Sequence, residues 1–565
     1  MHIDLDYGLQ SSNLVDMMRL KQFGIVLILL FPVLIIGNTI DQGSVFDPSW
    51  VSILPPIVAI ILALITRQAH LALFVGIWLG SVILNGGIIS GLTKTLDTYI
   101  VESITDKGHA SILVFTLAFG GLIGVISANG GMKGMVKMAA RYATSNKNGQ
   151  LATMAMGFVI FFDDYANTLL VGNMMRPFTD TVRISREKLS YLVDSTAAPV
   201  SSLAVISTWS IFQMSLLDGP FSQFGITENP YFTFLKSIPY SFYCILTLVF
   251  MFMNILMARE FGPMLVAEKR ARRTGKVLAP GAQPLSDPTI MAEGSKTGTT
   301  HWSNALVPVF LVIVVTGIGL YFTGKGALGP GSHSLREIIG EADPYATIIW
   351  SACIAGMVAI LMTVTKNILS LNGAMEAWIN GVRSMVMACV ILVLAWTIGR
   401  ICEDMRTAQF LVSISADVLS PSFLPLITFL TAAAISFSTG SSWATMSILV
   451  PVVVPMAIQL MNMEANAIVD TPIFLSTFSA ILSGSVFGDH CSPISDTTIL
   501  SSTASCADHI DHVRTQMPYA VTVAIITMLV GYIGIGFDLS LSVILLVSIA
   551  LLAALCRFYG RPVSD

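Results

Sequence analysis

Apolar positions along this chain fall into long unbroken runs. They neither alternate, as in a half-buried strand, nor form the one-sided stripe of a soluble amphipathic helix. A helix needs about 20 apolar residues to cross the hydrocarbon of a bilayer. Runs of that order lie near 23–40, 50–66, 69–88, 109–128, 189–216, 236–258, 302–323, 345–365, 382–401, 471–500, 517–536 and 540–557, and predict about twelve spanning helices. Two further apolar stretches, 150–177 and 421–461, have polar centres: FFDDYANT at 161–168 and SFSTGSSWAT at 436–445.

Basic residues orient these runs, because cytoplasmic loops carry the excess of Lys and Arg. Segments 130–148 and 176–188 hold four each and 259–276 holds six, with Arg557 and Arg561 in the tail. Segments 41–49, 217–230, 462–470 and 537–539 hold none. The first set is predicted cytoplasmic, as are both termini, and the second external. The alternation closes only if 150–177 and 421–461 each return to the face they left, so both are predicted re-entrant hairpins. The chain then divides into an N-terminal cytoplasmic segment (1–22), a first transmembrane repeat (23–258), a flexible cytoplasmic linker (259–301), a second, inverted repeat (302–515) and C-terminal helices with a short tail (516–565). The first apolar run follows Arg19 and Lys21 without a small-residue cleavage site and reads as an anchor.

Composition agrees: 54% of residues are hydrophobic and 11% charged, against about 25% charged in soluble domains. The fold class expected is an all-α polytopic membrane protein. The net charge of −4 changes little. The seven cysteines are scattered through apolar segments and read as small buried hydrophobes. LAFGGLIG and ANGGMKG lack the GK[ST] ending of a phosphate loop, and their small residues suit close helix packing. No cofactor and no nucleic-acid partner is expected.

The two halves resemble each other. LVDSTAAPVSSLAVIST (192–208) aligns with VFGDHCSPISDTTILSST (486–503), pairing Pro199 with Pro493, Ser201 with Ser495 and Ser202 with Asp496. In each half a polar-tipped hairpin precedes a polar helix broken at proline. Inverted repeats with helices broken at mid-membrane are a transporter architecture, in which freed backbone groups line a cavity and carbonyls at helix C-termini can hold a cation.

The chemistry-bearing residues sit in those four stretches. Candidates for ion or proton binding are Asp163, Asp164, Asn167, Thr168, Asp194, Ser195, Ser438, Thr439, Ser441, Ser442, Thr445, Asp489, His490, Ser492, Asp496 and Thr497. The segments that carry them contain no Lys or Arg. Carboxylates and hydroxyls are hard oxygen ligands of the kind a sodium ion takes, and ionisable residues inside a membrane are functional candidates. A carboxylate out of water with no cationic partner can hold either a proton or Na+ near neutral pH, which is a sufficient basis for exchange. The alternative for each aspartate is capping of a broken helix. Asp163 and Asp164 would project about 100° apart on a helix, so one is expected to cap rather than face the ion. His490 relays protons or holds the break, and Trp443 packs or gates. In CADHIDH (506–512), Cys506, His509 and His512 could take a metal, but the segment reads as a solvated loop. A Ser/His/Asp hydrolase is disfavoured, because no GxSxG elbow is present.

GDHCSPISDTTILSS, with FFDDYANTLLVGNMMRPFTD and REKLSYLVDSTAAPV, resembles the motifs of the NhaC-type Na+/H+ antiporters, from about Ser52 to the C-terminus and omitting the linker. The resemblance implies two inverted repeats with re-entrant hairpins, a homodimer with an elevator-like transport domain, Na+ and H+ as the transported ions, and the inner membrane as location. It also includes relatives that exchange carboxylates, such as malate for lactate, or amino acids.

Overall fold

The computed structural model describes residues 47–66, 68–140, 145–284, 301–331, 338, 341–415 and 420–563. The N-terminal segment 1–22 and the expected span 23–40 lie outside the described residues. Among the described residues, eight helices are long and apolar enough to cross a membrane, or up to eleven if three bent pairs each count as one. The protein is a multi-pass helical membrane protein. The helix satisfies every backbone group within its own segment, as lipid requires.

In chain order the principal helices are α1 (Leu54–Thr66), α2 (Ala69–Asn85), α3 (Lys107–Ala128), α4 (Asn146–Val159), α5 (Asp164–Thr181), α6 (Arg186–Leu203), α7 (Thr208–Ser215), α8 (Phe242–Met257), α9 (Gly262–Thr274), α10 (Ser303–Leu328), α11 (Pro344–Thr365), α12 (Leu371–Ser384), α13 (Val386–Asp404), α14 (Leu424–Thr439), α15 (Ser442–Met461), α16 (Pro472–Cys491), α17 (Asp496–Ala504), α18 (His509–Ile526) and α19 (Leu541–Phe558). The expected spans 189–216 and 236–258 are bent pairs: Arg186–Leu203 with Thr208–Gln223 at 48°, and Pro230–Tyr240 with Phe242–Met257 at 46°. The expected span 471–500 divides at Ser492–Ser495 into α16 and α17.

The glycine-rich runs are packing surfaces. A Cβ on Gly124 of α3 would lie 2.2 Å from the Ala377 carbonyl of α12, and one on Gly134 would lie 2.4 Å from the His301 backbone. Only a missing side chain permits such approaches.

Segment 259–284 is structured, contrary to the flexible linker expected there. Arg259–Glu260 (β1) pairs antiparallel with Arg561–Pro562 (β2), a small exception to an all-α fold, and α9 follows. The physical reason is a set of polar partners, buried at its centre. Lys188 Nζ, fully buried, lies 2.7 Å from Glu260 Oε1, and the Tyr519 hydroxyl donates to Glu260 Oε2 at 2.6 Å. Arg270 donates to both oxygens of Glu187 at 3.0 and 2.8 Å. The Gln283 N–H donates to Asp508 Oδ2 at 2.8 Å. This clasp ties α6, α18 and the C-terminal strand together at the Lys/Arg-rich end. At the other end the two Lys/Arg-free segments meet, with the Thr227 N–H donating to Asn466 Oδ1 at 2.9 Å.

Candidate functional site

Four helix breaks converge on one place, and each ends in a side chain that caps the next helix. Asp163 Oδ1 accepts from the Ala166 N–H at 2.8 Å, opening α5. Ser207 accepts from Ser210 at 2.9 Å, opening α7. Ser441 accepts from Ala444 at 3.3 Å, opening α15. Ser495 accepts from Thr498 at 3.3 Å, opening α17. Caps of this kind satisfy backbone donors that a broken helix would otherwise leave bare. Gly440 shapes the third break. Its φ is +68°, and a Cβ there would lie 2.7 Å from the Ile494 carbonyl, so the third and fourth breaks touch.

Several carbonyls beside the first and fourth breaks already receive side-chain donors. Asn167 Nδ2 lies within hydrogen-bond reach of the carbonyls of Gly157, Ile160 and Thr196, at 2.8, 3.0 and 3.0 Å. Gln516 donates to the His490 carbonyl at 2.6 Å and Thr498 to that of Asp489 at 3.2 Å.

Between the breaks lies a cavity of about 90 Å³ lined by Asp163, Asp164, Thr208, Ser441, Ser442, Trp443, Asp489 and Asp496, with Tyr165 and part of 384–391 completing the wall. Asp163, Asp164 and Asp489 are buried, at 4%, 2% and 1% exposure. Asp489 Oδ2 accepts from Ser442 at 2.9 Å, and its Oδ1 is buried without a hydrogen-bond partner. Asp496 is exposed and accepts from the Tyr165 hydroxyl and, at 2.8 Å, from the Thr497 N–H. Asp163 Oδ2 accepts from Thr208 Oγ1 at 3.2 Å. Asp163 and Asp164 therefore share one cavity, and Asp163 is also the cap expected of one of the pair. Asp163 is an extended cap (φ −159°, ψ 132°), so the helical 100° step does not apply to it.

Asp194, Ser195 and His490 lie outside this cavity, in a buried network that Thr498 and Gln516 join to the end of α16. Asp194 Oδ2 accepts from Gln516 at 2.5 Å, with Thr498 at 3.4 Å and His512 Nε2 at 3.3 Å, and Oδ1 accepts from Ser501 at 3.2 Å. His490 sits between Ser195 Oγ at 3.1 Å and the Tyr243 hydroxyl at 2.7 Å and does not line the cavity. The segment 506–512 is not a solvated loop. His512 is fully buried against Asp194, and His509 Nε2 donates to the Pro493 carbonyl at 2.7 Å.

The remaining candidates do not line the cavity. Thr168, Ser438, Thr439 and Thr445 donate their hydroxyls to carbonyls of their own chain three or four residues back, the local bond that competes with any outside ligand. Ser492 accepts from the Ile494 N–H and Thr497 pairs with Ser495, both inside the fourth break. The repeat register also shifts. Pro199 lies within α6 while Pro493 lies in a break, so the breaks match as Ser207 with Ser495, not as proline with proline. Tyr165 and Thr208 were missed, although each stands in a stretch already singled out. His512 and Gln516, the partners of Asp194, stand in the polar run HIDHVRTQ (509–516), which hides them as buried ligands of a membrane acid.

The chain's similarity to known proteins accords with this geometry. Residues 203–537 match the Na+/H+ antiporter family. An uncharacterised protein of Haemophilus influenzae is 32% identical over 505 residues, 88% of this chain and 92% of its own length. The malate-2H+/Na+-lactate antiporter of Bacillus subtilis is 31% identical over 129 residues, 22% of this chain and 25% of its own. The solved YdaH transporter of Alcanivorax borkumensis aligns with a TM-score of 0.50 at 14% identity, covering 84% of this chain and 90% of its own, a likeness of fold.

Proposed function

This chain belongs to the Na+/H+ antiporter family, and on that premise we propose that it exchanges cytoplasmic Na+ or Li+ for H+ across the cell membrane by alternating access, with both termini cytoplasmic. The observation that carries the reading is the cavity where Asp163, Asp164, Asp489 and Asp496 converge. The four stretches that build it contain no Lys or Arg. Four helix N-termini open at its wall. A cluster of carboxylates without a basic neighbour can be neutralised by either a cation or protons. At about 90 Å³ it is well below the roughly 300 Å³ at which small-molecule pockets begin, which favours an ion over an organic substrate.

Inverted repeats are supported by helix direction. From the cavity, α5 and α17 run to the Lys/Arg-rich end, where Arg186 donates to the Ser505 carbonyl at 2.7 Å. Helices α7 and α15 run to the Lys/Arg-free segments 217–230 and 462–470. In this reading the protein works as a homodimer in the inner membrane.

A second reading is a Na+- or H+-coupled exchanger of small carboxylates or amino acids. The same four N-termini favour it, because they can receive a substrate carboxylate without an arginine. Proteoliposomes separate the two. With an imposed pH gradient and an internal pH dye, Na+ or Li+ is expected to collapse the gradient. If no cation does so, the antiport reading fails. Sodium-driven uptake of a labelled carboxylate or amino acid in the absence of a pH gradient would install the second reading.

A further inference from the structure

A second cavity, of about 270 Å³, lies toward the Lys/Arg-free end, with Glu102, Asp106, Asp218, Ser222, Glu403 and Arg400 in its wall, four carboxylates against one guanidinium. Three helices line both cavities. On α7, Thr208 faces the carboxylate cavity and Ser215 the second one; on α13 the corresponding residues are Ile391 and Ala395, and on α15 Trp443 and Pro451. At about 1.5 Å per residue these pairs are about 10.5, 6 and 12 Å apart along their axes. The two cavities therefore lie on one seam, one to two helical turns apart.

Between these levels α7 and α15 bring aromatic and apolar side chains together, with the buried Gln213 and Ser447 on the same two helices. Phe212 of α7 stacks on Trp443 of α15, with centroids 4.2 Å apart and planes at 21°. Trp209 meets Trp443 edge-on at 6.0 Å and 80°. Leu392 and Met446, which follow Ile391 and Trp443 on their helices, are buried at 1% and 0% exposure. On the far side of the carboxylate cavity, by contrast, Asp496 and Tyr165 are exposed, at the starts of the two helices that run to the basic end.

We propose that Phe212 and Trp443 form a closed septum on a single ion route, and that the acidic second cavity is the entrance to that route from the Lys/Arg-free end. An apolar constriction sheds water and bars an ion that would lose its hydration there without recompense. The structure is then the state closed at the septum and open toward the basic end. Ions reach the carboxylates from the acidic side only when the Phe212–Trp443 stack parts. This deepens the cation-exchange reading and rests on it.

The test is thiol accessibility in full-length protein with the seven native cysteines replaced, folding being checked by gel filtration. Single cysteines at Ser222→Cys and Thr208→Cys, on opposite sides of the stack, are exposed to a membrane-impermeant maleimide from the face that bears 217–230. Ser222→Cys is expected to react and Thr208→Cys to be protected at least tenfold. Adding Phe212→Ala and Trp443→Ala is expected to remove that protection, while Trp443→Phe retains it. The septum is refuted if Thr208→Cys reacts as fast as Ser222→Cys with both aromatics in place. It is equally refuted if protection persists after both are removed from a protein that still elutes as folded. Labelling needs no transported ion, so a chain that protects Thr208→Cys as expected but exchanges no cation would overturn the antiport reading and leave the barrier standing.

Discussion

Asp163 shows how one residue can serve structure and chemistry together. Its Oδ1 caps α5 while its Oδ2 meets Thr208 at the cavity wall. Asparagine caps about as well as aspartate, whereas alanine in place of a good cap costs about 1 kcal/mol. Asp163→Asn is therefore expected to keep the thermal unfolding midpoint of the wild type and to lose Na+-dependent collapse of a pH gradient by tenfold or more. Asp163→Ala is expected to lower the midpoint as well. Wild-type exchange in Asp163→Asn would reduce this residue to a cap. Asp489 presents the sharper case, because one carboxylate oxygen is buried without a partner. Asp489→Asn should abolish exchange in the same assay, and Ser442→Ala, which removes the donor to its other oxygen, should slow exchange by a few-fold. Normal rates in Asp489→Asn would take it out of the site.

At the scale of elements, the breaks are the working parts, and their positions follow from caps more than from prolines. Pro199 is carried inside α6 because a helix tolerates one missing N–H when its neighbours are packed and satisfied. The break waits for Ser207, whose hydroxyl both receives the Ser210 N–H and donates to the Ser201 carbonyl at 2.7 Å. Gly440 is the single residue on which the third break most depends. A left-handed conformation costs about 1–2 kcal/mol for a residue with a Cβ, and here the Cβ would also strike Ile494. Gly440→Ala is expected to lower both the unfolding midpoint and the folded yield on gel filtration. An unchanged profile would mean that the third and fourth breaks do not press together.

At the scale of the whole molecule, the cavity joins elements from both halves of the chain: the acids of α5, the hydroxyls that open α15 and the acids flanking the fourth break. Proton and cation would compete there for the same negative charge, and such coupling is reciprocal. Lowering the pH fills the carboxylates with protons and weakens Na+ binding. The apparent KM for Na+ is therefore expected to rise as pH falls, approaching about tenfold per pH unit for one proton per ion. Initial rates of dye-reported exchange at three pH values would check it. A KM independent of pH would exclude competition at a shared site. The clasp of 259–284 sits far from this exchange, at the basic end. It ties α6 to α18 through Lys188, Glu260 and Tyr519, residues whose polarity gave no hint in the sequence that they would be buried together.

Long apolar runs alone determined that the chain crosses a membrane many times, because nothing else of that length and composition can satisfy its backbone in lipid. Acids and hydroxyls without a basic neighbour likewise pointed to the stretches that build the cavity, since their cost in a membrane is high wherever the helices go. Which of those residues share a site was beyond reach of the pattern. Asp194 and Asp489 look alike in sequence, each an acid shortly before a proline. One is enclosed by Gln516, His512, Thr498 and Ser501, and the other opens on the cavity. That sorting depends on how α6, α16, α17 and α18 cross, and on side chains 300 or more residues apart meeting across those crossings. Spacing along one helix carries no information about which neighbour will face it.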